Sequence, residues 1–179
     1  MRCLLRNSYK MSYFGNAFDY SLDARSQKYT LYLVVDDSMK SHPLYQFSEK
    51  TLPTNENAGF DLPTAENWVG ETHLLDLGVK AMMTRSGTDE TVHYWLAPRS
   101  SIYKTGYMMG NSLGVIDRSY RGTLKAPVVR VSEPAKGFMA GDRHFQIMAP
   151  DLGWIHTVRI VDSLPETLRG EGGFGSTGC

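Results

Sequence analysis

From Lys28 onward the apolar positions fall in short runs with polar residues alternating between them, and turn residues separate one run from the next. The clearest run is Tyr29–Asp36, rich in Leu, Tyr and Val and ended by Asp36-Asp37-Ser38. Later runs are Thr72–Leu77, Val79–Thr84, Val92–Ala97, Thr123–Val131, Phe145–Ala149 and Trp154–Val161. Gly, Pro, Asn and Asp punctuate them about every ten residues, the spacing of an all-β barrel or sandwich. No apolar stripe of helical period is sustained along the chain, and at most Ser101–Met109 holds a helical turn. Met1–Gln27 is polar and aromatic without a period and reads as a loose arm. The segment after Leu168 is rich in glycine and reads as a flexible arm, which leaves 28–168 as the folded β domain.

Composition narrows the classes of function. The 179 residues fit one domain, and 19 Lys+Arg balance 19 Asp+Glu. A net charge of zero offers no broad basic surface for duplex nucleic acid or for an anionic membrane, so neither nucleic acid nor membrane is expected as a partner. A mononucleotide or single strand held by a few local charges stays open. No apolar run is long enough to span a bilayer, and Arg6 interrupts the start before a signal-peptide core develops. Cys3 and Cys179 stand at opposite ends of the chain and supply neither a disulfide framework nor a zinc site. An intracellular protein of the cytoplasm or nucleus, not a secreted one, is the expectation.

Two familiar patterns match literally and are rejected. Gly170–Gly175 satisfies the dinucleotide fingerprint, but too few residues follow it to form the helix that fingerprint requires. Gly110-Asn-Ser-Leu-Gly114, with Asp151 and His156 downstream, satisfies a hydrolase nucleophile elbow, yet it lacks the strand–turn–helix of an α/β sheet. His156 lies in an alternating strand and reads as a packing residue.

Four other segments gather small, charged and aromatic residues beyond what turns require: Ala58–Leu62, Pro98–Ser101, Gly114–Gly122 and Arg169–Gly178. Gly141-Asp-Arg143 with Gln146 is a weaker fifth. Arg99 and Arg169 supply planar forks suited to phosphate oxygens. Ser100, Ser101, Ser176 and Thr177 add hydroxyls, and glycine lets backbone amides approach an anion. Asp61 and Asp117 are carboxylates able to orient a hydrated cation or take a proton from water. Tyr120 and Phe174 are rings able to cover a sugar and a base.

In this order the five segments resemble the five motifs of the trimeric dUTP diphosphatases (dUTPases), over Asn57–Cys179. Gly-Val-Ile-Asp-x-x-Tyr-Arg-Gly and Arg-Gly-x-Gly-Gly-Phe-Gly-Ser-Thr-Gly are the most specific parts of the match. The resemblance implies a jelly-roll-like, distorted β-barrel subunit and a homotrimer whose sites are shared between subunits. It implies hydrolysis of dUTP to dUMP and pyrophosphate with Mg²⁺, under a glycine-rich arm that closes over the nucleotide. Residue by residue, it makes Asp117 the base that activates water and Asp61 the carboxylate that holds metal-bound water. Arg99, Ser100, Ser101 and Gln146 become phosphate contacts, and Arg169 the clamp on the γ-phosphate. Asn111 and the hairpin Gly114, Val115, Ile116 read uracil, with Lys125 a further substrate contact. Tyr120 packs under deoxyribose and excludes a 2′-hydroxyl, and Phe174 stacks on uracil beside Gly175 and Ser176.

The chain departs from the family pattern at His144 and Phe145, where small or aliphatic residues are usual, and in an extended loop expected near Glu90–His93. A dCTP deaminase, or a bifunctional deaminase-dUTPase, is the nearest alternative. Those relatives carry a glutamate that Thr123–Val131 lacks, with Pro127 near its expected place. A dUTPase-like module that regulates a protein partner is an alternative of another class.

Overall fold

The computed structural model describes residues 28–53 and 56–173; Met1–Gln27 and the calls on Phe174, Gly175, Ser176 and Thr177 lie outside them. Among the described residues eleven strands form between Lys28 and Ile160. They are β1 (Lys28–Val35), β2 (Glu49–Thr51), β3 (Gly59–Leu62), β4 (Thr72–Arg85), β5 (Thr91–Val92), β6 (Tyr94–Pro98), β7 (Tyr107–Met109), β8 (Gly114–Ile116), β9 (Thr123–Arg130), β10 (Phe145–Met148) and β11 (Trp154–Ile160). One sheet runs β2-β11-β1-β4-β9-β7, with β5 on β4; the other runs β3-β10-β6-β8. Only the β1–β11 pair is parallel among the paired strands described.

Alternation along the strands builds the core. In β1, Tyr29, Leu31, Leu33 and Val35 turn inward while Tyr32 and Val34 are half-buried. Leu31 and Leu33 meet Leu75, Leu77, Met83, Phe145 and Ile147 in one apolar cluster. Full burial of such side chains stabilises by about 1.5–3 kcal/mol each. The all-β, jelly-roll-like architecture expected from the sequence is the one observed. Among the described residues no helix is long and apolar enough to cross a membrane.

Three local expectations need correction. The runs Thr72–Leu77 and Val79–Thr84 are one strand, β4, whose pairing with β9 shifts register between Asp76 and Lys80. Gly78 carries that irregularity at φ +61, and a Cβ there would come within 2.6 Å of Met39 Cγ. Conversely, Val92–Ala97 is not one strand. β5 joins the large sheet on β4, β6 joins the small one, and His93 is the break between them. The extended loop expected near Glu90–His93 is therefore a tight return, with Thr91 paired to Thr84. The helical turn expected within Ser101–Met109 is present as a 3-10 turn over Ser100–Thr105, and strand β7 follows it.

Candidate functional site

The rejected elbow stays rejected. Gly110–Gly114 is the turn from β7 to β8, Asp151 accepts from Gly153 N in its own turn, and His156 Nδ1 lies 2.9 Å from Thr157 Oγ1. The other singled-out residues collect in two clefts. The first, of about 200 Å³, is lined by Asn111, Gly114, Val115, Ile116, Asp117, Tyr120, Lys125, Arg169 and Gly173. The second, of about 380 Å³, holds Asp61, Arg99 and Gln146 together with Arg143. Ser100 and Ser101 open the 3-10 turn directly after Arg99, whose amide is tied to His144 O at 2.8 Å.

The first cleft is built on β8, whose residues Gly114–Ile116 pair with Leu96–Tyr94 of β6. The chain then turns, with Tyr120 N donating to Asp117 O at 2.9 Å, and this presents the Asp117 carboxylate at the rim. Tyr120 is fixed by its hydroxyl, which donates to Thr123 O at 3.0 Å. Its ring lies against Gly122, where a Cβ would fall 2.4 Å from the Tyr120 hydroxyl. Glycine is needed there because the ring occupies the space of any side chain. Burial pushes the Tyr120 phenol above its ordinary range, Glu171 adds to the shift, and Arg169 and Lys80 oppose it, so the ring stays neutral.

Arg169–Gly173, the start of the glycine-rich segment, lies on this cleft. Arg169 Nη1 is ion-paired with Asp117 Oδ2, and its Nε donates to Gly172 O at 3.0 Å. Its guanidinium stands 5.9 Å from the centre of the Tyr120 ring. Arg121 explains why the segment comes this way. At 9% exposure it donates to the carbonyls of Pro165, Arg118 and Tyr120, while its amide donates to Gly170 O at 2.8 Å. Lys80 pairs with Glu171.

The second cleft is a cage around Asp61 on β3. Arg99 Nε lies 2.9 Å from Asp61 Oδ1, and Arg143 Nη1 lies 3.3 Å from Oδ2. Arg99 also donates from Nη1 to Arg143 O at 2.7 Å, which locks the two arginines side by side. Two guanidinium groups against one carboxylate leave a net positive, donor-rich pocket suited to a polyanion. Among the described residues no three His, Cys, Asp or Glu side chains cluster as a metal cage.

Register sets the clefts apart. Asp61 pairs with Gln146, Gln146 with Ala97, and Asp117 follows Ile116 opposite the His93 end of β6. Four residues along β6 and three strand spacings across the sheet put Asp61 and Asp117 about 20 Å apart in one chain. The two clefts thus lie at opposite edges of the small sheet within one subunit.

Several participants were not singled out from sequence. Arg143, given no role of its own within the weaker fifth segment, lines the second cleft. Arg121 was quoted only within Tyr-Arg-Gly, and it is the anchor of the tail. His93 lies with Nδ1 3.4 Å from Asp117 Oδ1 and accepts from Arg118 N at 3.2 Å. A basic residue inside a motif segment was the available signal for Arg121 and Arg143; nothing in the local pattern pointed to His93.

A family model described as dUTPase matches residues 47–178. A deoxyuridine 5′-triphosphate nucleotidohydrolase of Escherichia phage T5 is 37% identical over 109 residues, 61% of this chain and 70% of that protein. One from Wolinella succinogenes is 34% identical over 122 residues, covering 68% and 80%. One from Idiomarina loihiensis is 31% identical over 152 residues, covering 81% and 94%. The solved native EIAV dUTPase aligns at a TM-score of 0.43 and 16% identity, over 67% of this chain and 93% of that one, a likeness too distant to carry weight.

Proposed function

The chain belongs to the dUTPase family and hydrolyses dUTP, and we propose that it does so in a homotrimer, at sites assembled between subunits, with Asp117 as the base and Mg²⁺ bound with the substrate. The observation that carries the shared site is the separation of the two clefts: Asp117 and Tyr120 line one, Asp61 and Arg99 the other. A nucleotide whose base and sugar lie along Gly114–Tyr120 meets the arginine-caged cleft only if a second copy supplies it.

In this reading Asn111 and the backbone of Gly114–Ile116 hold the pyrimidine edge, and Tyr120 packs under the sugar where a 2′-hydroxyl would collide. Lys125 borders the same cleft. Arg99, Ser100, Ser101 and Gln146 of the neighbouring subunit receive phosphate oxygens. Asp117 takes the proton of a water as its oxygen bonds to the α-phosphorus, and the bond to the bridging oxygen breaks, releasing pyrophosphate and leaving dUMP. Arg169 now rests on Asp117. Its transfer to the terminal phosphate frees the carboxylate to accept that proton, so arrival of substrate and exposure of the base become one event. Phe174, Gly175 and Ser176 follow directly and are assigned to closure over uracil.

The donor set fits magnesium in one form. Asp61 is a single carboxylate, 21% exposed and already held by two arginines. Mg²⁺ commonly keeps several waters and takes substrate phosphates as ligands beside one or two carboxylates. Asp61 would therefore hold the ion through water, and the ion would supply charge neutralisation at the phosphates. Excess EDTA is expected to abolish pyrophosphate release from dUTP and added Mg²⁺ to restore it. Undiminished turnover in chelator overturns the metal assignment. Following ammonia release from dCTP in the same assay tests the deaminase alternative, which has no carboxylate on β9 to support it.

A further inference from the structure

His144 is a departure from the family pattern that dUTP hydrolysis does not account for, and the structure places it against a residue assigned to phosphate. Its Nδ1 lies 3.0 Å from Ser101 Oγ. On the other side of the ring, Nε2 lies 3.7 Å from Asp142 Oδ2. The ring is 17% exposed and its edge faces Phe138, with centroids 5.8 Å apart. Among the described residues Ser101 Oγ can also donate to Arg143 O, a long contact at 3.5 Å. Asp142 is itself held in place, because Met139 N donates to its Oδ2 at 3.2 Å. The result is a chain of three polar groups, Asp142–His144–Ser101, that ends two residues after Arg99 of the arginine cage.

A serine hydroxyl has one proton, and a neutral imidazole donates from one nitrogen while accepting at the other. The Asp142 carboxylate beside Nε2 favours the proton there, which leaves Nδ1 as the acceptor. Ser101 then gives its only proton to His144 and has only lone pairs left to offer, the wrong polarity for a phosphate oxygen. When the imidazole is a cation both nitrogens donate, Ser101 accepts from Nδ1, and its proton, left with only the long 3.5 Å contact to Arg143 O, can go to the phosphate.

We propose that His144 is a positioning residue that sets the direction of the Ser101 hydroxyl, so that dUTP binds with uptake of a proton by His144. The proposal rests on the reading of Ser101 as a phosphate contact. The charged groups that face the ring are Asp142 on its own segment and Arg99 from the end of β6. Burial pushes His144 below the ordinary histidine value and Arg99 adds to that, while Asp142 opposes both. The free protein therefore holds the neutral form near neutrality. The incoming triphosphate, with its negative charge and its need for a donor, draws the proton on. Affinity is then greatest at low pH and declines as pH rises through the substrate-bound titration of His144.

The test is calorimetric titration of the intact protein with the uncleavable α,β-imido analogue of dUTP and Mg²⁺, at about pH 6 and about pH 8, in buffers of different ionisation enthalpy. The ligand's own titration is common to every variant. Between those conditions the parent is expected to lose about tenfold more affinity than His144→Asn, the worth of one charge-assisted hydrogen bond. The parent should also take up more protons on binding. Asparagine keeps an uncharged partner for Ser101 and cannot titrate. In a Ser101→Ala background, His144→Asn should change affinity no further. The proposal is overturned if His144→Asn keeps the parent's pH dependence, or if its effect is the same with and without Ser101. If Ser101→Ala binds as the parent does at both pH values, Ser101 is not a phosphate contact; that reading fails, and the proposal with it.

Discussion

Asp117 shows how the surroundings of one residue define its task. It is presented on a turn, half-exposed, with Arg169 on one oxygen and His93 3.4 Å from the other. A positioned base contributes typically about 10²–10⁴-fold. Asp117→Asn should therefore lower kcat by that order while binding of the uncleavable analogue stays close to the parent's; turnover within a few-fold of the parent removes the residue from the chemistry. Gly122 yields a prediction of another kind. With the Tyr120 hydroxyl 2.4 Å from where its Cβ would be, Gly122→Ala must push the ring out of the cleft. Discrimination of dUTP against UTP, read as a ratio of kcat/KM, should fall by about tenfold, with little change if Tyr120 does not set it. Sequence alone identified Asp117, Tyr120 and the glycine between strands, because each lies in a long specific motif. It did not reveal that Gly122 makes room for Tyr120, since packing between residues two apart depends on the turn. Nor did it pair His144 with Ser101, which are 43 positions apart and meet only because the β6 and β10 ends adjoin.

At the scale of elements, alternation located most strands of the large sheet and of the core. It failed where the chain changes sheets. Val92–Ala97 reads as one β run, but pairing of Thr91–Val92 to β4 and of Tyr94–Leu96 to β8 splits it at His93, and no local propensity encodes that choice. The short strands β3 and β8 were read as motif segments, not strands, because their small and charged residues serve the clefts as well as the sheet. The glycine-rich tail divides in two. Arg169–Gly173 is docked through Asp117, Arg121 and Lys80, whereas Phe174 onward carries the ring assigned to uracil. Truncation before Phe174 should cost about one to two decades in kcat/KM, the worth of base–aromatic stacking, without moving Tm. Truncation before Arg169 should cost more and also lower Tm by a few degrees, since it strips the acceptor from Arg121 N and the partner from Asp117, a loss of about 1 kcal/mol. A protein shortened before Arg169 that keeps full kcat/KM would show the segment to be an inert end.

At the scale of the whole molecule, the jelly-roll in the proposed reading distributes its chemistry so that no single chain completes it. The small sheet puts Asp61 at the β3 edge and Asp117 beyond the β8 edge, with β10 and β6 between them. Sequence order cannot express that separation, because the motifs are continuous along the chain and say nothing of which end of which strand they occupy. If a neighbouring subunit closes the gap, mixing two inactive variants restores activity. Asp117→Asn and Asp61→Asn are each expected to be nearly inactive. Co-refolded in equal amounts, they form mixed trimers in which about a quarter of the sites draw an intact Asp117 from one subunit and an intact Asp61 from the next. Pyrophosphate release from dUTP should recover to about that fraction of the parent rate. Activity no greater than the sum of the two variants alone would mean that each chain holds a complete site, and would contradict the account.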